Sequence, residues 1–343
     1  VTPHANFAVH EASQVGEARR QAARLADTLG FDDVAKGRLA LVVTELGNNL
    51  VKHARDGRLV VGERRGPEAE GSIDVLSLDH GPGMADVEAC LADGYTSGST
   101  PGTGLGAVRR LAGEFHYFSK AGHGTVILAR MHARTGLAAA ARPARDAAEA
   151  SAFVCGAVCV AAPGEVVSGD SWAWCEDGVR ATLLVADGLG HGPEAAAAAD
   201  EASRVLERHP GLAPNEVLTR AHAALGSTRG AAMAVFALDR SAALVTLCGA
   251  GNITARLISG VSDRTLLTQH GTAGLQIRRP QETRNEWPDH ALLIAHSDGI
   301  KSRWNFKEVP ALIQSDVTVI AGWLMRAHSR GRDDATVVVV RRR

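Results

Sequence analysis

Residues 185–194 read VADGLGHGPE, and the apolar run Arg180–Ala186 leads directly into them. A short apolar run of this kind has the composition of a buried strand, and an Asp at its end projects at the rim of the core. A helical stretch near Pro193–Arg208 follows. Three more acidic clusters lie around this one in the sequence: Ser168-Gly169-Asp170, His296-Ser297-Asp298-Gly299 and Gly331-Arg332-Asp333-Asp334. An isolated Asp-Gly is an ordinary turn dipeptide. Several carboxylates gathered at one rim repel each other unless cations sit among them. Hard oxygen ligands select Mg²⁺ or Mn²⁺, and two such ions can acidify a shared water and aim it at phosphorus.

The surrounding pattern is rich in strands. Runs at Phe153–Ala161, Ala231–Leu238, Ala243–Cys248, Asn252–Ile258, Ala291–His296 and Ala335–Val340 read as β-structure, with helices near Pro193–Arg208, Pro214–Leu225 and Val317–Ser329. The series V-A-D-G-L-G-H-G-P-E, S-D-G-I and G-R-D-D-A-T-V-V-V, in that order over about residues 152–342, resembles the SpoIIE/RsbX branch of PPM-type protein phosphatases. That resemblance implies a β-sandwich flanked by helices and a site for two Mn²⁺ or Mg²⁺ ions. It makes Asp187 the bridging ligand, the Gly188 carbonyl a ligand, and Asp298 and Asp333 the completing carboxylates. Asp170 acts at the metal shell, Asp334 is the rival to Asp333, and His191 shapes the loop.

The N-terminal third has a different texture. Glu11–Leu29 and Val34–Ala54 read as helices, followed by strand-like Leu59–Glu63, Ser72–Leu78, Glu114–Ser119 and Thr125–Met131. This order suggests an α+β sandwich with helices on one face of a mixed sheet. In RLALVVTELGNNLVKHA (38–54), Leu39, Val42, Val43, Leu46 and Leu50 make one apolar stripe, while Glu45, Asn49, Lys52 and His53 make a polar one. Glu45 and Asn49 are one turn apart, where a carboxylate can accept a proton and a carboxamide oxygen can hold Mg²⁺. Such a pair alone is commonplace on a solvated helix.

Two glycine clusters follow. Asp79-His80-Gly81-Pro82-Gly83 closes a strand, with an acceptor suited to an adenine amino group and glycines that allow close backbone approach. Gly102-Thr103-Gly104-Leu105-Gly106 opens the helical Ala107–Ala112 and can present backbone N–H groups to a phosphate. The succession Glu45/Asn49, Asp79-x-Gly81-x-Gly83, Gly102-x-Gly104-x-Gly106, Gly124-Thr125 resembles the N, G1, G2 and G3 boxes of the GHKL ATPase/kinase superfamily. GTGLGAVRRLAGEF (102–115) looks most like the RsbT and RsbW/SpoIIAB switch kinases. The resemblance implies a Bergerat α/β sandwich binding Mg-ATP. It makes Glu45 the base, Asn49 the Mg²⁺ ligand, Asp79 the adenine reader and Thr125 its support, with Lys52 and His53 either touching phosphate or framing the pocket. Leu50 departs from the family, which usually has a small residue after the Asn. Sensor histidine kinases share the boxes but need a preceding dimerising helix pair, and about one helix precedes the N box here.

Between the two patterns, residues 133–150 read ARTGLAAAARPARDAAEA, with no large apolar residue after Leu137. This stretch is expected to link a 1–132 domain to a 151–343 domain. The net charge of −1 gives no bulk attraction to nucleic acid or anionic membrane. No run of ~20 apolar residues occurs to span a bilayer, and no secretory signal is visible. The five scattered cysteines suit small buried hydrophobes in a reducing compartment, so the cytoplasm is expected. By resemblance, the kinase and phosphatase would act on Ser/Thr of an anti-anti-sigma or stressosome-like STAS-domain protein, with an oligomer possible. The rivals are an ATP-gated anti-sigma-like binding module fused to an active phosphatase, and a phosphatase carrying a vestigial kinase half.

Overall fold

The computed structural model describes residues 2–65, 71–91, 104–133 and 151–343. In the N-terminal half, strands β1 (Ala5–Ala8), β2 (Arg58–Glu63), β3 (Ser72–Asp79), β4 (Glu114–Lys120) and β5 (Gly124–His132) form one sheet in the order β1-β2-β3-β5-β4. Every ladder in it is antiparallel, so the expected mixed sheet is corrected. The strands are joined by hairpins and by excursions through helices that return on the same face, which leaves no parallel neighbours. Helices α1 (Ala12–Thr28), α2 (Asp33–His53) and α4 (Gly104–Leu111) bury their apolar residues against that face; α3 (Val87–Leu91) packs on α4. Asp32 starts α2 by accepting from the Ala35 N–H at 2.7 Å. The expected stripe of Leu39, Val42, Val43, Leu46 and Leu50 is buried in this core.

Strands β3 and β5 are apolar on both faces. Ile73, Val75, Ile127 and Ala129 meet α1 and α2, while Leu76, Leu78, Val126 and Leu128 point the other way. A strand apolar on both faces needs cover on both. Here the second cover comes from the far end of the chain, the helix Val317–His328.

The C-terminal half pairs two antiparallel sheets. One comprises β7 (Asp170–Asp177), β8 (Arg180–Gly188), β9 (Ala231–Asp239), β10 (Leu244–Ala250) and β15 (Thr283–Glu286). The other comprises β6 (Phe153–Val160), β11 (Thr254–Ile258), β12 (Asp263–Leu266), β16 (Leu292–His296) and β17 (Ala335–Arg342), while β13 (Gly271–Thr272) and β14 (Gln276–Ile277) form a short ribbon of their own. Phe153, Phe236, Leu183, Trp287 and Val338 fill the space between them. Helices Pro193–Arg208 and Pro214–Ala224 cover the outer face of the first sheet, and Val317–His328 covers the outer face of the second.

Val317–His328 is therefore a layer common to both halves. Val319, Ile320, Trp323 and Leu324 are buried in one cluster with Leu76 and Leu128 of the first half and Val337 and Val339 of the second. Each such side chain contributes roughly 1.5–3 kcal/mol on burial. The approach is close on both sides. A Cβ at Gly322 would lie 2.9 Å from Leu76, and one at Gly156 would lie 2.6 Å from the Thr318 nitrogen. Arg130 pairs with Asp74 at 2.7 Å inside this junction and also donates to the Thr318 hydroxyl at 3.2 Å. Residues 134–150 of the expected linker lie outside the described residues. Ala133 still bonds to Gly71 and Asp32, so it belongs to the sheet side of that boundary.

Candidate functional site

In the N-terminal half, Asp79 ends β3 opposite Thr125 of β5. One of its carboxyl oxygens accepts the Gly81 N–H at 2.7 Å, and burial raises its pKa against that bond. Thr125 is buried and shares a 2.9 Å hydrogen bond with the Ser119 hydroxyl. The turn after Asp79 is pressed onto its neighbours: a Cβ at Gly83, where φ is +71°, would fall 2.2 Å from the Lys120 carbonyl. Backbone thus comes close on this side of the turn, leaving no room for a side chain at Gly83.

The C-terminal end of α2 abuts the same turn. The His53 carbonyl is 3.1 Å from where a Gly81 Cβ would stand, and the His80 N–H donates to the Arg55 carbonyl at 2.8 Å. Glu45 and Asn49 are half-buried on the preceding turns, while Lys52 and His53 are exposed. Gly104, Leu105 and Gly106 begin α4. Gly102 and Thr103 lie outside the described residues.

In the C-terminal half, the register of two strands does the gathering. Asp170 opens β7 directly opposite Asp187 near the end of β8. Asp298 follows β16 and Asp334 precedes β17, and those two strands pair in the facing sheet. The acids thus meet at one edge between the sheets. Burial, then Asp298 and Asp333, push the Asp187 carboxyl up to about 7. Burial, then Asp187, push Asp170 up as well. Asp170 Oδ1 and Asp334 Oδ2 are buried with no hydrogen-bond partner in the described structure.

Orphaned carboxylate oxygens beside other carboxylates are the arrangement that divalent cations complete. Among the described residues no three such side chains are already closed around one point. Gly188, next to Asp187, donates to the Gly169 carbonyl at 2.9 Å and sits against the first turn of Pro193–Arg208. Asp333 is half-buried and acts on Asp187 more strongly than Asp334 does. Asp334 is buried and accepts the Ala162 N–H at 2.8 Å. His191 is exposed and meets Glu165 at 2.9 Å.

Several supporting residues carry no local signal in the sequence. The Ser297 hydroxyl donates to Asp170 at 2.6 Å, and the Asn252 amide donates to Asp298 at 2.8 Å. His296 is wholly buried: it accepts from the Trp304 indole at 3.1 Å, and its other ring nitrogen donates to the Ser297 carbonyl at 2.8 Å. That pattern fixes one neutral tautomer, and burial lowers its pKa to about 4. These partners lie 46 to 127 residues from the acids they hold, except for the neighbours around His296. The cysteines are free thiols, three of them buried.

Comparison with known proteins follows the same division. Residues 8–131 match the family model described as histidine kinase-like ATPase domain, and residues 177–343 match that of stage II sporulation protein E. The serine/threonine-protein kinase RsbT of Bacillus subtilis (strain 168) is 32% identical over 112 residues, 33% of this chain and 84% of that protein. A solved chain reported under "The bacterial stressosome: a modular system that has been adapted to control secondary messenger signaling" is 27% identical, with TM-score 0.51. That match covers 55% of this chain and 99% of the other. A crystal structure of RsbX in complex with magnesium is 20% identical over 56% of this chain and 96% of its own, with TM-score 0.49. The chain therefore belongs, through residues 8–131, to the histidine kinase-like ATPase family in its RsbT-like form, and it joins to that module a SpoIIE-type PPM phosphatase domain.

Proposed function

We propose that the chain is a bifunctional regulator of a partner-switching pathway, phosphorylating Ser/Thr of a STAS-domain protein with one half and removing that phosphate with the other. The carrying observation is the acidic rim, where Asp170 and Asp334 keep buried, unpartnered oxygens beside Asp187. No structural purpose accounts for so costly a cluster. Asp187, the Gly188 carbonyl, Asp298 and Asp333 would hold two Mn²⁺ or Mg²⁺ ions, with Asp170 and Asp334 behind them. Bound there, the ions supply positive charge to a phosphoryl group and acidity to water. The protein's part is to keep Asp170 aimed through Ser297 and Asp298 aimed through Asn252. In the other half Asp79 would read the adenine amino group, Asn49 would hold Mg²⁺, and Glu45 would take the proton from the attacking hydroxyl.

RsbT carries the name of a protein kinase, and a chain of 27% identity comes from a stressosome study. Both support placing this chain in such a system. The test is incubation of the full chain with STAS-domain proteins and labelled ATP. With Mg²⁺, label should enter a Ser or Thr when the Asp187→Asn chain is used, and leave it when the wild-type chain is then added. No incorporation by either chain, with a pre-phosphorylated STAS protein still dephosphorylated, would leave the N-terminal half as an ATP-gated binding module.

A further inference from the structure

Arg326 stands on the last turn of the Val317–His328 helix, in the phosphatase half, yet its polar contacts lie in the other half. Its Nη1 donates to the Asp79 carbonyl at 2.5 Å and to the His123 carbonyl at 2.5 Å. One guanidinium thus ties the end of β3, which carries the adenine-reading carboxylate, to the β4–β5 turn beside it. The cation stacks 3.8 Å from the centre of the Trp323 ring, and Phe118 of β4 meets that ring edge-on at 5.0 Å. Its Nε is buried without a hydrogen-bond partner in the described structure. Burying this cation costs stability that an apolar residue would not, and the nearby Asp79 carboxylate offsets that cost only in part.

A few residues further on, the same segment is bound to the metal rim. The His328 carbonyl accepts the Lys301 N–H at 2.9 Å, and the Arg330 N–H donates to the Gly299 carbonyl at 2.8 Å. Arg330 Nε donates to the Asp298 carbonyl at 2.7 Å. Asp333 follows within three residues. Residues 326–330 therefore grip the backbone of Asp79 at one end and the backbone of Asp298 at the other. Neither grip uses the 133–150 linker.

We propose that Arg326 is a positioning residue of the nucleotide site, lent by the phosphatase half, and that residues 326–330 couple nucleotide binding to divalent-metal binding at the acidic rim. The proposal rests on reading Asp79 as part of the nucleotide site. Whatever settles the Asp79–Gly83 turn around a base also settles Arg326, and through Arg330 the Asp298 turn. Coupling of this kind is reciprocal, so metal at the rim tightens nucleotide in turn.

The test uses the full chain with a non-hydrolysable ATP analogue and Mg²⁺. Saturating analogue should slow amide exchange over residues 297–301 and 328–334. It should also lower the Mn²⁺ concentration for half-maximal hydrolysis of p-nitrophenyl phosphate by about 5-fold or more. Arg326→Ala should weaken analogue binding by calorimetry at least 5-fold, roughly the low end of such couplings. At saturating analogue it should lose both responses, with Arg326→Lys restoring part of them. If Arg326→Ala does not fold, the exchange response of the wild type decides alone. No exchange response in the wild type, or wild-type affinity in a folded Arg326→Ala, overturns the proposal. Asp79→Asn separates the two layers. Unchanged affinity in that variant defeats the nucleotide reading itself. Affinity lost there but kept in Arg326→Ala defeats only the role given to Arg326.

Discussion

Asp187 carries the electrostatic strain of the acidic rim. Its carboxyl, raised to about 7 by burial and by Asp298 and Asp333, holds a proton that the unfolded chain gives up near its ordinary value of 3.8. Between those two values the folded state binds more protons than the unfolded one, so raising the pH removes stability from the metal-free protein. The expected result is a metal-free melting temperature that falls, relative to Asp187→Asn, as the pH rises from about 4.5 to 7.5. The same Asp187→Asn change should abolish Mn²⁺-dependent phosphatase activity. A constant difference between the two proteins across that range would show that Asp187 is not strained by its neighbours. At Asp79 the amide of Asp79→Asn turns an NH₂ toward a base that also donates, so ATP affinity should fall in calorimetry. Asp187, Asp298 and Asp79 could be singled out in the sequence because each stands at or just after an apolar run, with a glycine one or two residues on. Ser297, Asn252 and Arg326 could not, because what they do depends on partners as far as 247 residues away.

At the scale of the element, helices announce themselves by punctuation. Asp32 caps α2, and Pro193 and Pro214 open their helices in the first turn, which is why their limits could be read within a residue or two. Strand β7 was missed: its sequence DSWAWCED opens and closes on acids and offers little alternation, and the β8 register supplies its pairing. Strand β1 has only four residues and exists by lying against β2. On α2, Glu45→Ala should leave ATP binding intact and cost phosphoryl transfer about 10²–10⁴-fold in a single-turnover assay. On Val317–His328, the contact at Gly322 leaves no room for a side chain. Gly322→Val should lower stability by roughly 1–3 kcal/mol in urea unfolding. Its branched methyls would push against Leu76, Leu78 and Val126 on the sheet of the opposite half.

At the scale of the molecule, the two modules were legible as separate motif series, but their joint was not. Nothing in the 133–150 composition hints that a helix beginning at residue 317 closes a sheet completed by residue 132. If both activities meet on one partner, Asp187→Asn should accumulate phosphorylated partner and Glu45→Ala should strip it. Mass spectrometry of the modified residue would check this, and two unrelated target proteins would end that idea. The shared helix also sets an order in time. A ribosome adds about 5–20 residues each second. The face formed by Val60, Leu76, Leu78, Val126 and Leu128 is thus synthesised roughly ten to forty seconds before the helix that covers it. During that interval the nascent first half shows a greasy sheet to solvent and invites chaperones or a neighbouring chain. A message broken between the codons for His132 and Val317 would yield not a free-standing kinase but a sticky fragment.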